Sequence, residues 1–466
     1  MLYLCAAINK TVAGKQIKGY KNQHEESPLS IVSLIPIIVL VLLLFATIRT
    51  FGSDALSGGS QVSLLTTTAI CILIGMVFYK IPWKDYELAI TNNIAGVATA
   101  IIILLIIGAL SGIWMISGVV PTLIYYGMQI IHPSFFLAST CIICALISVM
   151  TGSSWTTIAT IGIALMGIGK AQGFEDGWIA GAIISGAYFG DKISPLSETT
   201  ILASSITDTP LFRHIRYMMI TTVPSLVITL IIFTVAGFSH DANNTQHIAE
   251  VATALNEKFH ITPWLLIVPV ATGILIAKKV PSIVTLFLST LLAAVFALIF
   301  QPDLLEEISG IAASGFDSLF KGLMMTIYGE TNLHTDNAVL TDLIATRGMS
   351  GMMNTIWLIL CAMCFGGAMT ASGMVGSITS IFVRFMKKTV SVVSATVCSG
   401  LFLNLTTADQ YISIILTGNM FRDIYAKKGY ESCLLSRTTE DAVTVTSVLI
   451  PWNSCGMTQA DRKSTR

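Results

Sequence analysis

The sequence predicts an all-α polytopic membrane protein with inverted-topology repeats, two re-entrant hairpins and broken helices. Three observations carry this. The chain is 54% hydrophobic and only 11% charged, against about 25% charged residues in a soluble domain. Two long stretches repeat one another at a nearly fixed spacing. Proline and charged residues also interrupt apolar segments that should cross a bilayer, as in GAYFGDKISPLSETT at 186–200.

The first 28 residues are mixed and polar, with Lys10, Lys15, Lys18 and Lys21 and no cleavable signal peptide. Apolar runs follow at 29–51, 60–79, 97–118, 217–237 and 282–300, each with the roughly 20 residues a spanning helix needs. Lys and Arg mark the cytoplasmic side. They place the N-terminal arm, Lys80/Lys84, Arg213/Arg216 and Lys278/Lys279 inside. The acidic connections 238–262 (Asp241, Glu250, Glu257) and 302–310 (Asp303, Glu306, Glu307) read as outside. The expected arrangement is a multi-pass protein of the cytoplasmic (inner) membrane with a cytoplasmic N-terminus. Its partner is the lipid bilayer, and a formal net charge of zero argues against nucleic acid.

The division along the chain is an arm at 1–28, two transmembrane helices in 29–86, a first repeat at 87–237, an outer loop with two helices at 238–341, and a second repeat at 342–456. Gly96, Gly112, Ser117 and Gly118 recur as Gly351, Gly367, Ser372 and Gly373, and Gly173-Phe174-Glu175 recurs as Gly429-Tyr430-Glu431. Pro195 recurs as Pro451. The first repeat carries only Lys170 between Val97 and Gly173, whereas the second carries Arg384, Lys387, Lys388, Arg422, Lys427 and Lys428 in equivalent connections. Equivalent loops therefore lie on opposite sides. Secondary transporters are built this way, with the site near the midplane where the repeats meet.

Lys387/Lys388 and Lys427/Lys428 both belong inside, so the chain between them must enter and return. Its arms, 390–405 and 410–421, are short for spans, which predicts a re-entrant hairpin with its tip at NLTTADQ, 404–410. The counterpart has arms 135–150 and 155–169 and the tip TGSSWTT, 151–157. Such tips are tolerated where they are buried in protein or line a cavity. Ser153, Ser154, Thr156, Asn404, Thr406 and Thr407 offer neutral oxygens suited to a hard cation such as Na⁺; alternatively they cap half-helices or ease helix packing. Pro195 breaks the helix near Ser194, and a mid-membrane Asp or Lys costs about 2.5–3.5 kcal/mol. Asp191, Glu198 and Asp409 are the expected shared cation and proton site, with Asp191 and Asp409 as Na⁺ ligands and Glu198 as the titrating carboxylate. Lys192, Ser194, Thr199, Glu440, Asp441 and Asn453 are secondary candidates. Asp191 and Lys192 also read as a structural ion pair, and Arg437 as a partner for Glu440 or Asp441. Between the repeats, Glu330 and Asp336 read as solvated. The pairs Cys141/Cys144 and Cys361/Cys364 share helix faces but have no histidine beside them, so they read as buried thiols.

GAYFGDKISPLSETT, LTTADQYISIIL and LSRTTEDAVTVTSVLIPWNSCG, with MCFGGAM (363–369) and PTLIYYG (121–127), resemble the NhaC-type Na⁺/H⁺ antiporters over roughly residues 60–456. The resemblance implies exchange of Na⁺ for H⁺, paired re-entrant hairpins, a homodimer, and no cofactor beyond the transported Na⁺. Some similar members exchange malate for lactate, which keeps a carboxylate exchanger, with Lys192 pairing the anion, as the alternative. Exchange follows from competition: desolvation and a neighbouring carboxylate both favour the protonated acid, so loading Na⁺ displaces protons. A hydrolase reading has GSS at 152–154 but no histidine in a hairpin or broken helix, and a channel reading lacks a visible selectivity ring. Repeat symmetry also calls for a further span after Pro451-Trp452, where the chain instead runs into MTQADRKSTR, 457–466. That polar tail reads as a truncation, and an inactive truncated copy is the further alternative.

Overall fold

Inside a bilayer only helices and closed barrels satisfy every backbone polar group, and each regular element among the described residues is helical. The computed structural model describes residues 30–51, 58–195, 197–239, 245–278, 280–311, 313, 315–331, 333, 335, 341, 344–377 and 389–461. The N-terminal lysines, Asp241, Lys279, Asp336, Arg384, Lys387 and Lys388 lie outside the described residues.

The helices are α1 (Ser30–Phe51), α2 (Gly59–Phe78), α3 (Trp83–Ile116), α4 (Val119–Ile130), α5 (Pro133–Thr151), α6 (154–171), α7 (Asp176–Ile193), α8 (Glu198–Ile206), α9 (Leu211–Ser239), α10 (Thr245–Lys258), α11 (Ile267–Ala277), α12 (Ser282–Phe300), α13 (Pro302–Ser309), α14 (Phe316–Tyr328), α15 (Met353–Ala371), α16 (Thr389–Thr407), α17 (Gln410–Lys427), α18 (432–447) and α19 (Ser454–Asp461). Eight helices among the described residues are long and apolar enough to cross a membrane, or nine if α10 and the stretch from Pro263 to Ala277, bent by 95°, form one broken span. The chain is a polytopic α-helical membrane protein. α3 has 34 residues, about 51 Å at 1.5 Å per residue. It starts well before the apolar run at 97–118, because Lys84, Asp85 and Glu87 form a polar first turn.

Burial sorts the helices. The stretch 348–371 is 72% buried and sits at the centre, against α2 and α3. α9 is 17% buried, and its exposed Ile220, Val227, Ile228, Ile231, Ile232 and Val235 form an apolar face of the kind lipid covers. α5 and α7 pack backbone against backbone. A Cβ on Gly186 would lie 2.1 Å from the Cys141 carbonyl oxygen, and one on Gly190 2.3 Å from that of Ala145. Small residues four apart let backbones meet this way in membranes, and the Ser148 hydroxyl then donates to the Ala187 carbonyl at 2.5 Å. Cys141 and Cys144 belong to this contact, directly facing Gly186.

The sequence offset recurs in the backbone. Left-handed φ values occur at Gly118 and Gly373 (83° and 67°), at Gly152 and Ala408 (66° and 57°), and at Gly173 and Gly429 (83° and 70°). Glu175 and Glu431, which precede α7 and α18, have φ/ψ of −66°/141° and −66°/140°. At Gly152/Ala408 the backbone repeats although the side chains differ. One difference from the sequence reading concerns the arms: α5 and α16 each have 19 residues, long enough to span, because helix continues through the threonines at 151 and 406–407.

Gly190→Val should prevent α5 and α7 from closing, whereas Gly177→Ala, with nothing within 4 Å of its added Cβ, should be tolerated. Overpacking of this kind costs about 1–3 kcal/mol or more. Size-exclusion profiles in detergent check this: a monodisperse Gly190→Val protein would contradict the packing account.

Candidate functional site

Two short interruptions organise the site. α5 ends at Thr151, Gly152 turns left-handed, and extended Ser153 caps the next helix by accepting from the Thr156 amide at 3.2 Å. α16 ends at Thr407, Ala408 turns left-handed, and extended Asp409 caps α17 by accepting from the Ile412 amide at 3.0 Å. A non-glycine residue in that region is strained by about 1–2 kcal/mol, and Ala408 is fully buried. The tip hydroxyls are engaged locally. Thr156 donates to Ser153 Oγ at 3.0 Å, Thr406 to the Phe402 carbonyl at 3.0 Å, and Thr407 to the Leu403 carbonyl at 2.9 Å. Asn404 instead ties the tip to α18, donating to the Val443 carbonyl at 2.7 Å and to Thr446 Oγ1 at 3.0 Å. Its own side-chain oxygen is buried without a partner.

α7 stops at Ile193 and α8 begins at Glu198. Ser194 donates to the Val149 carbonyl at 2.8 Å, Thr200 to the Lys192 carbonyl at 3.1 Å, and Ser197 caps α8 with Thr199 3.1 Å away. Just before the break, Asp191 is 7% exposed and accepts from Ser154 Oγ at 2.7 Å. Asp409 is 3% exposed and accepts from Ser454 Oγ at 3.1 Å on its other oxygen. Ser454 is fixed there because its amide donates to the Ala408 carbonyl at 2.8 Å. Neighbouring Trp452 and Asn453 donate to the Leu405 and Asn404 carbonyls at 2.9 and 3.3 Å. The arrangement is reciprocal. In the first half the carboxylate sits on the broken helix and the serine at the tip; in the second the carboxylate sits at the tip and the serine beyond the break. Tyr411 lies within electrostatic reach of both aspartates.

Glu198 is exposed where Asp191 and Asp409 are buried, although its charge reaches Asp191. Its side chain is exposed and accepts from the Tyr411 hydroxyl at 3.1 Å, because residue 198 opens α8 on the outer side of the break. Lys192 is buried and bonded to Asp441 rather than to adjacent Asp191; successive helix residues point in different directions. Asp441 also takes the Thr221 hydroxyl at 3.1 Å and lies 3.9 Å from Arg437. Glu440 begins a π-helical turn, Glu440–Thr444, a feature common at functional sites. Glu330 is exposed and pairs with Arg347 at 3.4 Å.

Ser454, Tyr188, Tyr411, Cys455 and Gln459 were not among the sequence candidates. The signal for Ser454 was its position directly after Pro451-Trp452-Asn453. α19 carries Met457, Thr458 and Gln459 into the interior beside α15. A cavity of about 90 Å³, with mainly apolar walls, has Ser111, Lys170, Thr346 and Gln459 as its polar lining. Gln459 lies beside Tyr188, which adjoins Asp191 and Cys455.

Two buried carboxylates at helix interruptions and a buried lysine mark this membrane-spanning bundle as carrying a candidate functional site in its interior. The family model described as the Na⁺/H⁺ antiporter family matches residues 186–461. The Na⁺/H⁺ antiporter NhaC of Bacillus subtilis (strain 168) is 35% identical over 394 residues, 84% of this chain and 84% of the relative. The NhaC of Alkalihalophilus pseudofirmus is 37% identical over 390 residues, 83% and 81% of the two chains. The malate-2H⁺/Na⁺-lactate antiporter of B. subtilis is 35% identical over 425 residues, 91% and 87%. The chain belongs to the Na⁺/H⁺ antiporter family.

Lys192 is the only buried lysine or arginine among the described residues. Lys192→Met should lower stability by less than the roughly 3–5 kcal/mol of a fully buried pair, because Asp441 is partly exposed and keeps Thr221 and Arg437. Lys192→Met combined with Asp441→Leu should recover most of it. Thermal melting in detergent checks this, and equal losses in both variants would mean the pair is not coupled.

Proposed function

We propose that this protein exchanges Na⁺ for H⁺ across a bacterial cytoplasmic membrane by alternating access, with Asp191 and Asp409 as the shared cation site. The observation that carries the reading is the reciprocal pair of buried aspartates, each held by one serine hydroxyl at a helix interruption. Carboxylate and hydroxyl oxygens suit a hard cation, and Ser154 and Ser454 would keep their acceptor lone pairs free to meet it. With the cation absent, two enclosed carboxylates cannot both stay charged. Protons would replace Na⁺, which is the coupling an antiporter needs. The recurring left-handed turns at matched positions support two repeats, and the charge signatures of their loops support opposite orientations with a cytoplasmic N-terminus. The tips at 151–157 and 404–410 act in this reading as the inner ends of re-entrant hairpins. The cavity that Gln459 helps to line serves in this reading as the approach to the site. Glu198 acts at the rim, through Tyr411, rather than as a ligand.

Exchange of small carboxylates is the second reading, favoured by the malate-2H⁺/Na⁺-lactate antiporter among the relatives. Lys192, the cation such an anion would seek, is already occupied by Asp441, which favours the inorganic exchange.

In proteoliposomes with an imposed pH gradient, added NaCl should collapse the gradient without any organic acid, as read by a pH-sensitive dye. Asp191→Asn and Asp409→Asn should abolish this while leaving the protein inserted. Ser154→Ala, which removes a hydrogen bond to a charged group worth about 1.5–3 kcal/mol, should raise the Na⁺ concentration for half-maximal rate by about tenfold or more. Normal exchange by both aspartate variants would overturn the site. A response only after malate and lactate are added would establish the second reading.

A further inference from the structure

Three acidic residues are buried among the described residues: Asp191, Asp409 and Glu440. The first two accept serine hydroxyls, but Glu440 is different. It is completely enclosed, and neither carboxylate oxygen has a hydrogen-bond partner. The hydroxyls of Thr199 and Thr444 lie near it without closing a bond, and that of Thr444 is itself buried and unpartnered. The charged and titratable groups around it are Lys192 and Asp191 on α7, Asp441 and Arg437 on its own helix, and His214 on α9, whose ring bonds Ser436 at 2.5 Å. The buried cation among them, Lys192, is committed to the next residue, Asp441. Asp441 has alternatives: it is partly exposed, Arg437 is 3.9 Å away, and Thr221 donates to it at 3.1 Å. Glu440 has none.

An enclosed carboxylate with no closed hydrogen bond, whose nearest cation is bonded to another acid, is costly to keep ionised. A proton resolves the deficit, since the resulting O–H can donate to a threonine hydroxyl that lacks a partner. The π-helical turn that Glu440 opens sets both acids on one segment facing α7.

We propose that Glu440 is a proton-binding site separate from the aspartate pair, holding H⁺ while Lys192 bonds Asp441 and releasing it when Lys192 moves across to Glu440. In the step, the O–H bond of Glu440 breaks and its proton leaves to water. Lys192 keeps all three of its ammonium protons and neutralises the new carboxylate, and Asp441 falls back on Arg437 and Thr221. This rests on the reading of Asp191 and Asp409 as the cation site. It adds a further proton, carried on atoms that do not hold Na⁺.

The test uses the full chain in proteoliposomes and two readouts: exchange of radioactive Na⁺ for Na⁺ at equal pH on both sides, and Na⁺-driven proton movement. Glu440→Gln, which stays neutral, should retain Na⁺/Na⁺ exchange and move fewer protons per Na⁺, those of the aspartate pair alone. Glu440→Asp should retain both, with the pH midpoint of proton movement displaced. Wild-type proton movement in Glu440→Gln would overturn the proposal, and so would loss of both readouts with an unchanged size-exclusion profile. Should Glu440→Gln fail to fold, an unmoved midpoint in Glu440→Asp overturns it. Asp191→Asn separates the two readings: Na⁺/Na⁺ exchange surviving in that variant sinks the cation site, while the glutamate variants still report on the proton.

Discussion

The constraint on which the rest of this structure depends is the cost of an unpartnered polar group in an apolar interior. Each helix that stops inside the bundle must find partners for its free ends, and the stops at 152–153, 194–197 and 408–409 are all tied down by neighbouring side chains or backbone. Those ties depend on backbones coming close. Gly186 and Gly190 seat α7 on α5. Gly366 lies against the Thr407 backbone, where a Cβ would sit 2.6 Å from its carbonyl oxygen. MCFGGAM is therefore a packing motif that positions the 404–410 interruption, with Gly367 packed just as closely on Ile90.

The same constraint explains why the buried charges come in two kinds. Lys192 and Asp441 neutralise each other, the arrangement that tolerates burial with least reorganisation. Asp191 and Asp409 each have hydrogen-bond donors but no cation. They hold a serine hydroxyl each, and that hydroxyl can turn its lone pairs toward an arriving ion. In the proposed reading such a pair would take either a proton or a cation without rebuilding the scaffold, because the helix interruptions that present it are fixed by other contacts. The hydroxyls of Thr156, Thr406 and Thr407 are engaged locally and stabilise the turns.

The family relation and the geometry bear on different questions. Identity of 35–37% over most of the chain to antiporters places it in its family. Relatives in that family include an exchanger named for malate and lactate, so the cargo has to be argued from the site. The occupied Lys192 is what separates the two cargo readings here.

Composition, apolar run length and the breaks at Pro195 and near residues 152 and 408 were legible in the sequence, because bilayer thickness and the missing amide of proline act locally. Two of the glycine matches read in the sequence, Gly118/Gly373 and Gly173/Gly429, both stand at left-handed φ. Which acid meets which base was not legible in the sequence. Lys192 has Asp191 as its chain neighbour yet bonds Asp441, 249 residues away, and Glu198 lies in the specific motif yet faces outward. Ser454 gained its role only because Ala408 accepts its amide. Residues far apart in the chain are brought into contact by close backbone packing, and hydrogen-bond and charge partners are then chosen by that packing rather than by proximity in sequence.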